Sequence, residues 1–150
     1  MSFLDNTRIG GFTTVPQAVR GSFADRETYI AQGEAMAPIF ALWNEPWLHD
    51  AVLLWFIDNL GVVSCLCKGA SSVYDFGCVI HGLHMMVAVK SLAVWWEHVD
   101  SKANISDGGT RNSFAEYQAL GVSMRPAPMP PWPESVFKLP ASFWLSWLGL

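Results

Sequence analysis

The sequence predicts an α/β layered fold, and two observations carry that prediction. Seven apolar residues with no polar break, Ala51 to Ile57, run into Asp58-Asn59, the pattern of a strand buried on both faces inside a mostly parallel sheet. A second apolar strand, Val94 to Val99, follows two helical segments, and the order β-α-β-α-α-β-α is that of a layered α/β domain. Parallel neighbours need a crossover, which the two intervening helices supply. The carboxylate of Asp58 then falls at the C-terminal end of a central strand, where open α/β sheets place their chemistry.

Each element has its own local justification. Gly10-Gly11 predicts a turn, and Phe12-Thr13-Thr14-Val15 a short strand ended by Pro16. A helix is expected from Asp25, which can cap it, with Glu27 favouring its positive end and Ile30, Glu34, Ala37 and Ala41 on one face. Pro38 cannot donate to the Glu34 carbonyl, so a kink or break is expected there, and Asn44-Glu45-Pro46 closes the element. After the strand 51–57, a short helix around Leu60–Cys67 stops at Lys68-Gly69. Ser71-Ser72 opens a longer helix, about Val73 to Leu92, with Val73, Phe76, Ile80, Leu83 and Val87 on one stripe. The strand 94–99 leads through a loop, Asp100 to Thr110, into a short helix near Ser113–Leu120.

Beyond Gly121 the composition changes. Arg125-Pro126-Ala127-Pro128-Met129-Pro130-Pro131-Trp132-Pro133 reads as an extended polyproline-like segment. Residues 1–121 therefore form the expected folded domain, and 122–150 an extended Pro-rich arm with an apolar tail. The ten tail residues 141–150 would make a helix about 15 Å long, half of a bilayer core, so they cannot span one. Phe143, Trp144, Trp147 and Leu148 suit a hydrophobic groove, the edge of a membrane protein or a lipid interface. They equally suit folding back over an open sheet edge.

With 150 residues the chain is long enough for one domain with a real core. It is 51% hydrophobic and only 15% charged, with eight Trp and nine Phe, whereas soluble domains average about 25% charged. The aromatic excess implies either a Trp-rich core or a surface that meets a partner protein, more of a longer polypeptide, or lipid. A net charge of −4 and nine thinly spread basic residues disfavour autonomous nucleic-acid binding, which draws its affinity from Lys and Arg on phosphates. Gathering of Arg20, Arg26, Lys68, Lys102 and Arg111 in space is the one route left to a basic patch.

Cys65, Cys67 and Cys78 form no disulfide framework, and residues 65 and 67 leave different sides of a helix. They read as buried free thiols in a reducing intracellular compartment, with the organelle open. Met1 to Gly11 lacks the pattern of a secretory signal. His81 and His84 stand three residues apart on a helix without a third ligand and read as ordinary helix residues; His98 on a strand has no evident base role. No nucleophile elbow, phosphate loop or dinucleotide fingerprint occurs.

Several blocks fall in a familiar order. Ile30-x-x-x-Glu34 is followed by Phe56-Ile57-Asp58-Asn59 with Lys68-Gly69-x-Ser71. Then comes Val99-x-Ser101-Lys102-x-Asn104-Ile105-x-Asp107 with Arg111. Between about Gly11 and Arg111 the chain resembles the ribonuclease H-like domain of retroelement reverse-transcriptase polyproteins. The resemblance implies a mixed sheet flanked by helices and a site in which four acids hold two Mg²⁺ ions. By resemblance Glu34 is the second acid, Asp58 the third and Asp107 the fourth. Hard oxygen ligands suit Mg²⁺, and two such ions stabilise the attacking and leaving oxygens of a phosphodiester displacement.

The chain departs from that family at its start. Only about 30 residues precede Glu34, too few for the opening strands, so the first strand and its metal-bridging carboxylate are expected to be missing. Asp5 is the only candidate replacement. Three carboxylates are then expected to hold at most one Mg²⁺ weakly, and otherwise no cofactor. The implied alternatives are a metal-dependent ribonuclease H-type nuclease and a non-catalytic derivative serving as a structural or interaction subunit. For the second, protein partners are expected through the aromatic surface and residues 126–150, a membrane-protein or lipid edge at 141–150, and little or no nucleic acid.

Overall fold

The computed structural model describes residues 9–25, 27–104 and 115–129. Along the chain run β1 (Ile9–Phe12), α1 (Gln17–Arg20), α2 (Ile30–Asn44), β2 (Val52–Ile57), α3 (Leu60–Lys68), α4 (Tyr74–Val89), β3 (Ala93–His98), α5 (Ala115–Ala119) and β4 (Ser123–Pro126). The class is α/β. In place of the expected single mixed sheet, the described strands form two small sheets, β1 with β4 and β2 with β3, both parallel.

The β2–β3 pair lies where the apolar pattern puts it. Val52 stands opposite Ala93 and Ile57 opposite His98, with α3 and α4 making the crossover between them. Trp55 faces Trp96 across the pair at 6.1 Å between ring centroids, an aromatic cross-strand contact of the kind that fixes register. Leu53, Trp55, Val94 and Trp96 lean on a core built from α2, α3 and α4, in which Met36, Ile39, Leu42, Leu66, Ile80 and Leu83 are fully buried.

Among the described residues β2 is buried on one face, not on both as expected. Val52, Leu54 and Phe56 point away from the helices and are 85%, 60% and 53% exposed, and Trp95 beside them is 65% exposed. Among the described residues helices cover one face only, so the strand alternates in environment although its sequence does not alternate in polarity.

Helix α2 starts at Ile30, not at Asp25. Tertiary ties hold the residues before it out of the helix: Phe23 is buried and stacks on Tyr29 at 5.9 Å, and the Ala24 amide donates to Asp75 Oδ2 at 2.9 Å. The helix also continues through Pro38, which is itself fully buried; packing of Met36, Ile39, Phe40 and Leu42 around it outweighs the lost hydrogen bond. The buried stripe runs through Gln32, Ala35, Met36, Ile39 and Leu42. Ile30 and Ala37, on the face they share with Glu34 and Ala41, are exposed.

Local signals are sharper at α3. Asn59 Oδ1 accepts from the amides of Gly61 at 3.0 Å and Val62 at 3.2 Å, which caps the N-terminus. Gly69 ends the helix with φ +68°, its amide bonded to Leu66 and that of Ala70 to Cys65, the paired bonds of a left-handed glycine stop.

Gly10 and Gly11 lie inside β1, not in a turn. The Met124 side chain covers the bare Cα of Gly10, where a Cβ would overlap its sulfur. Residues 123–126, assigned from composition to the arm, are β4, in register with β1 from Ile9↔Ser123 to Phe12↔Pro126. Arg125 pairs with Glu45, Ala127 donates to the Phe12 carbonyl at 2.9 Å, and Asn44 Nδ2 donates to the Pro128 carbonyl at 3.0 Å. These ties anchor the chain as far as Met129, which packs on the core. Residues 130–150 lie outside the described residues. Among the described residues no helix is long and apolar enough to cross a membrane.

Candidate functional site

The C-terminal ends of β2 and β3 sit side by side, with the Val99 amide donating to the Ile57 carbonyl at 3.0 Å. Asp58 emerges there, half-buried, immediately before the cap of α3. The capping bonds belong to Asn59. Asp58 therefore stands at the expected strand end with its carboxylate outside the cap. Glu34 lies midway along α2, half-buried, with one carboxylate oxygen, Oε2, shielded from solvent.

Asp107 and Asp5 lie outside the described residues. Among the described residues no group of three or more His, Cys, Asp or Glu side chains is arranged to hold a metal ion. Glu34 and Asp58 are two carboxylates, and two do not make up the oxygen set that a pair of Mg²⁺ ions takes.

The remaining sequence candidates have structural surroundings. His84 Nε2 donates to the Leu66 carbonyl at 2.9 Å, and the ring meets Trp96 edge-on at 6.4 Å, so it ties α4 to α3 and the sheet. His81 and His98 are exposed. The cysteines were expected to be buried; Cys65 and Cys78 are partly so, but Cys67, two residues round α3, faces solvent. Burial pushes the Cys78 thiol above its usual value, the opposite of an activated thiolate. Arg20 on α1, Lys68 on α3 and Lys102 in the turn after β3 are exposed, and Arg26 and Arg111 lie outside the described residues. A depression of about 360 Å³ beside β4 is lined by Phe12, Gln118, Val122 and Met124, which include no charged, nucleophilic or metal-ligating side chain.

The most distinctive surface is one that reading the sequence missed. Val52, Leu54 and Phe56 of β2 and Ala93 and Trp95 of β3 form an outward apolar row across both strands. Trp95 is held within it: its indole Nε1 donates to Glu97 Oε2 at 3.1 Å, and Glu97 Oε1 accepts from the His98 amide at 3.1 Å. The indole bond, and then the amide bond, hold the Glu97 carboxyl below its usual value. The polar Glu97 at the end of the outward series 93-95-97 is the one hint of a solvent-facing side; β2 carries none. At the opposite end of the sheet Lys90 Nζ donates to the carbonyls of Glu45 at 3.2 Å and Leu48 at 3.3 Å, and burial lowers its pKa.

Fold and surface together define an α/β chain with a one-sided parallel strand pair and an aromatic outer face. No protein-family model, curated protein or solved structure matches this chain.

Proposed function

We propose that the chain is a non-catalytic derivative of the ribonuclease H-like domain of retroelement reverse-transcriptase polyproteins, serving as a structural or interaction subunit of a larger assembly. The observation that carries the reading is the outward row Val52, Leu54, Phe56 and Trp95, because contiguous apolar surface of this kind marks interaction sites. The order of sequence blocks from Ile30 to Arg111 supports the descent. The net charge of −4 supports loss of the nuclease, whose substrate is a polyanion. Protein partners engage the aromatic surface and residues 126–150, and the uncharged tail 141–150 extends that engagement to a membrane-protein or lipid edge.

The second reading is a Mg²⁺-dependent nuclease of the ribonuclease H type. It is favoured by the position of Asp58 at the C-terminal end of β2 and by the shielded oxygen of Glu34, with Asp107 as the third ligand. One experiment separates the two. The purified chain is incubated with an RNA–DNA hybrid across a Mg²⁺ series, beside Asp58→Asn. The subunit reading expects no cleavage above that of the variant; robust Mg²⁺-dependent cleavage that D58N abolishes establishes the nuclease.

A further inference from the structure

We infer that in the free chain the outward face of β2–β3 is the docking site of the chain's own C-terminal segment, residues 141–150. The inference needs only the two apolar surfaces and stands apart from the proposed descent. Four side chains dominate the face: Val52 at 85%, Leu54 at 60%, Phe56 at 53% and Trp95 at 65% exposure. With areas of about 150–250 Å² for the two aromatic side chains and less for Val and Leu, they leave roughly 400–500 Å² of apolar surface in water, well within the size of a monomer's largest apolar patch, which is often functional. A stable interface with a second protein buries about 800 Å² on each side, so this face alone is too small for a dimer. It suits a short segment.

Length, reach and composition point to the tail as that segment. Strands of six residues present a face about 20 Å long, and ten helical residues cover about 15 Å of it. Phe143, Trp144, Trp147 and Leu148 recur at helical spacing, and the segment 141–150 contains no charged residue, as the apolar centre of the face requires. The described chain ends within the tail's reach of the site. Pro128 is hydrogen-bonded to Asn44 and Met129 packs on the core, and from Asn44 eight residues lead to Val52, at most about 28 Å. Residues 130–140, extended at about 3.1 Å each, reach about 34 Å. The Pro-rich stretch is then a stiff strap that carries the tail round the end of the sheet. A partner that takes up the tail uncovers the face, so the two surfaces are exposed together.

The test uses the full chain carrying 5-fluorotryptophan, with Trp95→Phe to assign the Trp95 resonance. A soluble gadolinium chelate reads its exposure, and ¹H–¹⁹F contacts read its neighbours. Docking in cis expects Trp95 to be shielded at every protein concentration and to show contacts to residues 143–148. The combined variant Phe143→Asp and Leu148→Asp is expected to raise the gadolinium effect at Trp95 severalfold while Trp55 and Trp96 keep their shifts. An accessible Trp95 in the unsubstituted chain overturns the inference, as does shielding without contacts to the tail. Shielding that is lost on dilution together with a sedimenting dimer assigns the face to a second copy and overturns it too.

Discussion

Replacing Asn59 by Ala isolates the one residue that starts α3. Its Oδ1 satisfies two amides at the N-terminus of the helix, those of Gly61 and Val62, and an Ala there leaves both to water. Loss of such a cap costs about 1 kcal/mol, within a range of 0.5–2. In a chain of this size that lowers Tm by roughly 2–4 °C. Asn59→Asp keeps an acceptor facing the positive helix end and is expected to retain most of the stability, because the helix-end gain offsets repulsion from Asp58. Asp58→Ala leaves both capping bonds in place and is expected to cost less than Asn59→Ala. Urea unfolding followed by far-ultraviolet circular dichroism measures all three; an unchanged slope confirms that the same surface is exposed in each. The reasoning is refuted if Asn59→Ala matches the parent, or if Asp58→Ala is the more damaging change. The latter result would return the cap to the residue that the nuclease reading needs for metal.

Three further changes probe other parts of the structure. Leu66→Ala empties a fully buried position on α3 and is expected to cost about 2–5 kcal/mol; Leu54→Ala, on the outward face, is expected to cost much less in a chain truncated after residue 133, and both are read by urea unfolding. Gly69→Ala forces a side chain into the left-handed conformation at φ +68° and is expected to cost about 1–2 kcal/mol, measured in the same way. Glu97 titrates below its usual 4.5, chiefly through the Trp95 indole bond: its contribution is present above 4.5 and lost as pH falls through the lower folded-state value. The Trp95 indole proton shift is expected to follow that midpoint, and Glu97→Gln to abolish the transition; a transition that persists in the variant assigns it to another group.

Legibility in the sequence followed the range of the physics involved. Where a few neighbouring residues decide the outcome, as at Gly69 and the stripe Phe76-Ile80-Leu83, the expectation and the structure agree. The start of α2 did not read as well, because the Ala24–Asp75 bond and the burial of Phe23 join segments about fifty residues apart, which no local propensity encodes; its end at Asn44 falls where Asn44-Glu45-Pro46 puts it. β4 was missed for a related reason. Ser123 to Pro126 has little strand character by composition, and only the glycines of β1, the Glu45–Arg125 pair and the Met124 side chain make a place for it. Of the acidic set, Asp58 stands at the strand end where the sequence puts it, while Glu34 lies beside the buried stripe of α2, which runs through Gln32, Ala35, Met36, Ile39 and Leu42.

The unbroken apolar run of β2 led to the largest error, and the error has physical content. Continuous hydrophobicity reports that both faces of a strand are meant to leave water, not which element removes them. Helices α2, α3 and α4 account for Leu53, Trp55 and Ile57. Val52, Leu54 and Phe56 carry the same apolar character without a described element over them. Leaving side chains of this size in water forgoes on the order of 1.5 kcal/mol or more apiece relative to burial, a large fraction of the net stability of a small domain. A cover is therefore part of the free energy that the sequence of β2 is written for. The docking of residues 141–150 inferred above would supply that cover.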